Sequence, residues 1–322
     1  MRIAVLMGGR SGEHEVSLRS GAAVLDALET LGHVAAPLTF GRRGGASFNR
    51  SGYSTAGALL ALEAWRPDCA FIAMHGPDGE DGRIQGALEL LGIPYQGSGV
   101  QASALGLDKV RSKALFRDRG LPVADERIVA RGGVADWPGI AAELGLPLVL
   151  KTPASGSSVG VEIVQSLAAL ETRGAALAIE AGRVLVEQFV AGREFTLPVV
   201  ETDGGVPEAF PVIEIRPKTS AFFDYEAKYT PGASDEICPA PIDADLEARL
   251  RALGVAAHEA IGCRGYSRTD CIVAPDGRVA LLELNTLPGL TRESLLPKSA
   301  AAHGLSFPAL VERLISRAIA AV

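Results

Sequence analysis

The run SRTDCIVAPDGRVALLELNTLPG carries two acidic residues and an amide at a spacing that a hairpin brings together. Asp276-Gly277 is a turn dipeptide of the two-residue kind, so Pro275 is expected to face Arg278 and, counting back, Asp270 to face Glu283. Asn285 follows on the same face, because strand side chains alternate. Opposed carboxylates repel. A divalent cation removes that repulsion, and three hard oxygen donors with room for water and phosphate oxygens suit Mg2+. The competing reading is a solvated hairpin with incidental carboxylates. Against it, Leu282, Leu284, Cys271 and Val273 are expected on one face and Leu281 and Ile272 on the other, which buries the pair on both sides and leaves the carboxylates in need of a counter-charge.

Lys151 ends an apolar run and is followed by Gly156, Ser157, Ser158 and Gly160. Such a loop can turn backbone N–H groups and hydroxyls toward phosphate oxygens with the lysine as a point charge, although it lacks the spacing of a P-loop and reads equally as a plain turn. Lys109 and Lys113, four apart, share one helix face. Glu187-Gln188-Phe189-Val190 closes a further apolar run and Glu194 follows. A backbone hinge with an aromatic platform and carboxylates suits an adenosine, whose ribose hydroxyls need acceptors; an ordinary strand end is the alternative. In the loop after the first strand, Glu13 could hold an ammonium group, while His14 reads as a bystander. His75, also at the end of a strand, is either a site residue or a structural histidine.

The elements that must position these groups alternate in an α/β manner. Residues 2 to 7 read as a buried parallel strand, and the loop RSGEHEV leads into a helix from 17 to 31. Residues 69 to 76 form a second strand, followed by GPDGEDG, a helix from 83 to 92 and a short strand at Pro94-Tyr95. Loops at the carboxyl ends of parallel strands are where such sheets bind ligands. From Asp108, read as its N-cap, a helix runs to the stop Gly120-Leu121-Pro122. Strands are expected at 146–153, after the Gly/Ser loop, and at 183–190; REFTLPVV and PEAFPVIEI form a hairpin through Asp203-Gly204-Gly205, with Pro198 marking an edge or bulged strand. Residues 218 to 236 lack a period and read as a long mobile loop, a helix covers 244 to 261, a hairpin 267 to 285 and an amphipathic helix 308 to 320.

The 322 residues allow about two domains on length alone. With 31 basic against 38 acidic residues the net charge is −7, and 48% hydrophobic residues exclude a disordered chain. Neither a nucleic-acid surface nor a membrane span is expected: there is no Lys/Arg run and no apolar stretch of the ~18 residues a membrane helix needs. Cys69, Cys238, Cys263 and Cys271 are scattered and read as buried free thiols, and the short N-terminal apolar run is no signal peptide. Together they point to the cytoplasm. The 37 glycines fit a backbone wrapped around a small ligand.

The ordered blocks GEHEVSL, HGPDGEDGRIQG, SALGLDKVRSK, KTPASGSSVG, EQFVAGREFT, FFDYEAKY, RTD, LLELNTLPGLT and SLLP resemble the D-alanine:D-alanine ligases of the ATP-grasp superfamily over essentially the whole chain. The resemblance implies an ATP-grasp fold, α/β and α+β, with an N-terminal doubly wound, Rossmann-like domain at 1–98, a central subdomain at 99–186 and a C-terminal domain at 187–322. By the same resemblance Lys109, Lys151 and Lys228 hold ATP phosphates, Ser157 and Ser158 lie in the loop covering them, and Glu187, Phe189, Val190 and Glu194 contact adenine and ribose. Asp270, Glu283 and Asn285 match magnesium ligands for one or two Mg2+, with Mn2+ able to substitute. Glu13 matches the residue at the first substrate's ammonium group, Ser157 and Tyr229 link that subsite to the 218–236 lid, and His75 lies near the first substrate. Arg268 and the Gly289 backbone match the oxyanion stabilisers, and Ser294 a contact to the second substrate's carboxylate. Thr152-Pro153, Pro198 and Arg292-Glu293 depart from the family pattern.

The implied reaction is phosphorylation of one D-alanine carboxylate by ATP and attack of a second D-alanine amine on the acyl phosphate, for peptidoglycan precursors, by a homodimer. Tyr229 resembles dipeptide-forming members. The alternatives are a related carboxylate-amine ligase with another acceptor (another D-amino acid, D-lactate or a natural-product dipeptide) and a catalytically silent nucleotide-binding protein.

Overall fold

The computed structural model describes residues 1–133, 135–154, 160–218 and 232–320. In the N-terminal part, β1 (Arg2–Gly8) is the hub of a sheet and pairs in parallel with β2 (Val34–Phe40) on one side and β5 (Cys69–Ile72) on the other. The hairpin β3 (Ala46–Phe48) and β4 (Ser51–Tyr53) extends the sheet antiparallel beyond β2, and Tyr95 bridges Ala70 beyond β5. The parallel part is therefore a small one. Helices α1 (His14–Thr30), α2 (Thr55–Trp65), α3 (Arg83–Leu90) and α4 (Val100–Leu107) connect and cover these strands.

Helix α1 begins three residues before the expected start, at His14. The reason is local: His14 Nδ1 lies 2.7 Å from the Gly9 carbonyl and its backbone N–H donates to Ser11, which closes the loop early. The strand expected at 69–76 ends at Ile72, and the next residues bend into the site, where Ser11 Oγ donates to the His75 carbonyl at 2.8 Å.

Helix α5 (Lys109–Asp118) starts where Asp108 accepts from the N–H groups of Val110 and Arg111, as a capping aspartate should. A four-stranded antiparallel sheet follows in the order β6 (Glu126–Ala130), β9 (Arg183–Gln188), β7 (Leu148–Lys151), β8 (Val161–Val164), covered by α6 (Trp137–Leu144) and α7 (Leu167–Ala181). Its core is built from Leu148, Leu150, Leu170, Val184 and Val186.

The second antiparallel sheet contains β10 (Arg193–Glu201), β11 (Pro207–Ala209), β12 (Ile213–Pro217), β13 (Ser234–Ile237), β14 (Tyr266–Val273) and β15 (Val279–Asn285). Helix α8 (Ala244–Ile261) covers it, with its expected bounds and Asp243 as N-cap. Two expectations are corrected here. β10 is an interior strand, not an edge, because β14 lies on one side and β11 and β12 share the other. Pro198 is tolerated because it sits at the gap between those two neighbours, where its carbonyl still accepts from Phe210 N–H but no ladder donor is needed. The proline-containing stretch 210–212 likewise splits the single run expected from 207 to 215. Residues 234 to 236 belong to β13 rather than to a loop, since β12 offers them an open edge. Residues 219–231, most of the expected lid, lie outside the described residues.

The chain ends in α9 (Leu295–Ala302) and α10 (Phe307–Ala320). Leu310, Val311, Leu314, Ile315 and Ala318 of α10 share a core with Ile3, Val5, Leu28 and Phe71 of the first sheet. Among the described residues all four cysteines are free, and no helix is long and apolar enough to cross a membrane.

Candidate active site

The β14–β15 hairpin sets two opposed carboxylates face to face: Asp270 pairs with Glu283 and Arg268 with Asn285. The register is as expected, yet the turn is not. Ala274 N–H donates to the Arg278 carbonyl and Gly277 N–H to that of Ala274, so Pro275, Asp276 and Gly277 form a three-residue turn with Gly277 at φ +82, a conformation that favours glycine. The added turn residue shifts the first rungs by one, so that Cys271 faces Leu281. An irregularity between Asp270 and Cys271 then shifts the ladder back. One consequence is a corrected face: Leu281 and Leu284, with Cys271 and Val273, enter the core, and Leu282 does not.

Each carboxylate is met by a cation. Arg268 forks onto Asp270 at 3.0 and 2.9 Å, and Thr196 Oγ1 on β10 donates to the same carboxylate at 2.5 Å. Lys109, in the first turn of α5, reaches Glu283 at 2.8 Å, and its own N–H donates to Pro153, tying α5 to the chain just after Lys151. Asn285 Oδ1 accepts from Leu287 N–H, which fixes the chain entering the next loop. Among the described residues no three His, Cys, Asp or Glu side chains are gathered into a metal cluster. The donors here are two carboxylates and an amide, all hard oxygens; that set fits a divalent cation whose coordination is completed by water or phosphate.

Lys151, at the end of β7, is buried and ion-paired to Glu187 near the end of β9. Burial brings its pKa down to about 8; Glu283 opposes the shift and Lys109 adds to it. Glu187 is also ion-paired to Lys113, which is wholly buried and held well below the usual lysine range by burial and by Lys151. Phe189 and Val190, partly exposed, follow Glu187 directly, and Glu194 on β10 lies within electrostatic reach of Lys151. The structure therefore brings Lys109, Lys151, Glu187, Glu194, Asp270, Glu283 and Arg268 together between the two antiparallel sheets. Gly156, Ser157, Ser158, Lys228 and Tyr229 lie outside the described residues.

At the carboxyl ends of β1 and β5 stands a second group. His75 is buried, with Ser20 Oγ at 3.0 Å from Nε2, the Leu287 carbonyl at 3.2 Å from Nδ1 and Glu80 at 3.6 Å. Burial works against protonation of the imidazole, but Glu80 and then Glu13 outweigh it and its pKa is raised. A side chain at Gly76 would come within 2.8 Å of the Glu13 carboxylate, which lies over that glycine. Because Leu287 follows β15, the histidine connects the first sheet to the hairpin that carries Asn285. Across the same loop, Ser294 Oγ accepts from Thr291 N–H at 3.1 Å and stands 2.9 Å from where a Cβ on Gly289 would be, so these two positions share one small space. Arg292 and Glu293 are exposed. Thr196, Ser20, Glu80 and Glu126 were not singled out from the sequence. Thr196 is findable only once β10 is known to lie beside β14; Glu80 stands in the acidic loop after β5, where the strand-end position was the available signal.

Residues 115–316 match a family model described as the D-ala D-ala ligase C-terminus, and residues 56–98 match one described as the D-ala D-ala ligase N-terminus. The D-alanine--D-alanine ligase of Desulforudis audaxviator is 46% identical, covering 98% of this chain and 97% of its own length. That of Anaeromyxobacter dehalogenans strain 2CP-1 is 47% identical, covering 98% of this chain and 96% of its own. Among solved structures, a Bacillus anthracis D-alanine--D-alanine ligase complexed with ATP superposes with a TM-score of 0.82 at 31% identity, covering 100% of this chain and 98% of that one.

Proposed function

Because the chain belongs to the D-alanine:D-alanine ligase family and has its ATP-grasp fold, we propose that it joins two D-alanine molecules into D-alanyl-D-alanine with ATP, releasing ADP and phosphate, for peptidoglycan precursors. The observation that supports this reading best is the meeting of three cation–carboxylate pairs, Lys109–Glu283, Lys151–Glu187 and Arg268–Asp270, where α5, β7, β9 and the β14–β15 hairpin come together. Transfer of a phosphoryl group to a carboxylate brings several negative oxygens into one place, and catalysis there is mostly positioning and charge neutralisation.

In this reading Glu187 accepts from the base, with the backbone of Phe189 and Val190 beside it and Glu194 at the ribose. Lys109 and Lys151 turn from their carboxylates to the phosphates, joined by Lys228 and by the Ser157–Ser158 loop. Asp270, Glu283 and Asn285 would hold one or two Mg2+, or Mn2+ in their place, which supplies charge neutralisation at the transferring phosphoryl group. Glu13 holds the first D-alanine's ammonium group, and His75, protonated more readily than a free histidine, faces its carboxylate. Ser294 takes the second carboxylate. Arg268 and the Gly289 N–H stabilise the oxyanion formed when the second amine attacks the acyl phosphate, and Ser157 and Tyr229 connect the closing segment between β12 and β13 to the first subsite. Acyl phosphates hydrolyse, so water exclusion by that segment is part of the chemistry. The same reading divides the chain at 98 and 186 and places it in the cytoplasm as a homodimer.

The test is ADP release with D-alanine alone, then with D-lactate, D-serine and L-amino acids as acceptors. Turnover with D-alanine alone is expected, and its absence overturns the assignment.

A further inference from the structure

A second pair of opposed carboxylates lies in the neighbouring sheet. Glu126 on β6 faces Glu187 on β9 across the ladder, and the two side chains are 6% and 2% exposed. Like charges placed this way repel, and burial adds the penalty of lost hydration. Lys113 stands between them, ion-paired to Glu187 and 3.5 Å from Glu126. It projects from α5 one turn after Lys109, so one helix face sends one lysine to each acidic pair. Arg117, one turn further, closes on Glu126 at 2.6 Å.

The cluster therefore contains Glu126 and Glu187 against Lys113, Arg117 and Lys151. Among the described residues two carboxylates face three basic side chains. Without Lys151 the remainder is neutral, and Glu187 keeps a partner; without Lys113, Glu187 would depend on the lysine that has to leave for the phosphates. The surplus cation is Lys151: burial and the neighbouring Lys151 charge hold the Lys113 pKa down, so the departure of Lys151 to the phosphates relieves Lys113 of that repulsion.

We propose that Lys113 is a positioning residue for the nucleotide base: it keeps the Glu187 carboxylate ionised and in place when Lys151 turns to the phosphates, and thereby sets the preference for a 6-amino over a 6-oxo purine. An ionised carboxylate only accepts hydrogen bonds, so it takes the amino group of adenine and repels the carbonyl of hypoxanthine. This rests on the reading of Glu187 as the base contact.

Lys113→Met keeps the length of the side chain and removes its charge. With ATP and inosine triphosphate as alternative cosubstrates, the KM for ATP is expected to rise about tenfold or more and the ATP preference to shrink by a similar factor, the scale of a disrupted buried pair. The KM for D-alanine stays within about threefold, because Lys113 touches nothing at that subsite, whereas kcat falls to the extent that Lys151 stays with Glu187. A folded Lys113→Met enzyme with the wild-type ATP preference overturns the role of Lys113 alone; a wild-type enzyme without any preference overturns the reading of Glu187. Should Lys113→Met fail to fold, the double variant Lys113→Met/Glu187→Gln leaves no charge of the pair unmatched. It is expected to show the ATP preference of Glu187→Gln alone, and a further loss in the double variant overturns the proposal, since Lys113 would then act on something other than Glu187.

Discussion

Among the described residues, each cationic side chain proposed to hold a phosphate or an oxyanion is paired with a carboxylate proposed to meet the base or the cation: Lys109 with Glu283, Lys151 with Glu187, Arg268 with Asp270. In the proposed function, ligand entry trades each of these partners for a group of the nucleotide or its cation, so no side chain of the three pairs is left without a partner. Asp270→Ala leaves Arg268 and Thr196 without their acceptor as well as removing a donor for the cation, so kcat is expected to fall by about three orders of magnitude, the range for lost electrostatic stabilisation. Unchanged ATP-dependent turnover in that variant would show the assignment to be wrong. Lys151 gives a pH signature. Its pKa is about 8, and phosphates placed beside it would raise it, so nucleotide binding is expected to take up a proton between about pH 8 and 10 and affinity to decline as pH rises through 8. Below about pH 7 the lysine is protonated in both states and this dependence vanishes. Titration calorimetry in two buffers of different ionisation enthalpy measures the uptake; none at pH 8.5 would contradict the assignment. Much of this site was legible in residue types alone, because carboxylates and lysines at strand ends announce charge chemistry. Thr196, Glu80 and Ser20 were not, since each matters only through a neighbour far away in the chain.

Helix α5 gathers the lysines, and its first turn is fixed by Asp108, which caps it and pairs with Arg183. Asp108→Ala is expected to lower stability by about 1 kcal/mol, the usual value of a capping side chain, and to raise the KM for ATP as Lys109 loses its fixed starting point. Denaturant titration and steady-state kinetics check the two effects together; a stability loss without any change in KM would separate the cap from the site. Legibility at this scale followed local consistency. Helix α8 was readable to the residue because its period, its aspartate cap and Gly262 agree. The hairpin register came out right through two deviations that cancel, a longer turn and an irregularity beside Asp270, neither of which a sequence pattern discloses. Pro198 misled because a proline's tolerance depends on what lies across from it, and β13 was hidden because its four residues carry no period of their own.

At the scale of the molecule, the described residues form three sheets, and helix α10 returns to complete the core of the first. Ile315 is fully buried there, so Ile315→Ala is expected to destabilise the first sheet by about 2–4 kcal/mol through the cavity it leaves. Hydrogen exchange should show the amides of β1 and β5 opening more readily while those of β14 and β15 change little; uniform loss of protection would instead indicate one cooperative unit. That the ATP-grasp fold resides in the order of its blocks explains why the architecture could be anticipated from the resemblance; the return of α10 to the first sheet had no local signal, because an amphipathic helix does not name its partner. This return also bears on how the protein is made. β5 leaves the ribosome roughly 240 residues ahead of α10, which at about 5–20 residues per second is a delay of some tens of seconds. Through that interval the apolar surface of the first sheet that α10 covers in the folded chain is without that cover.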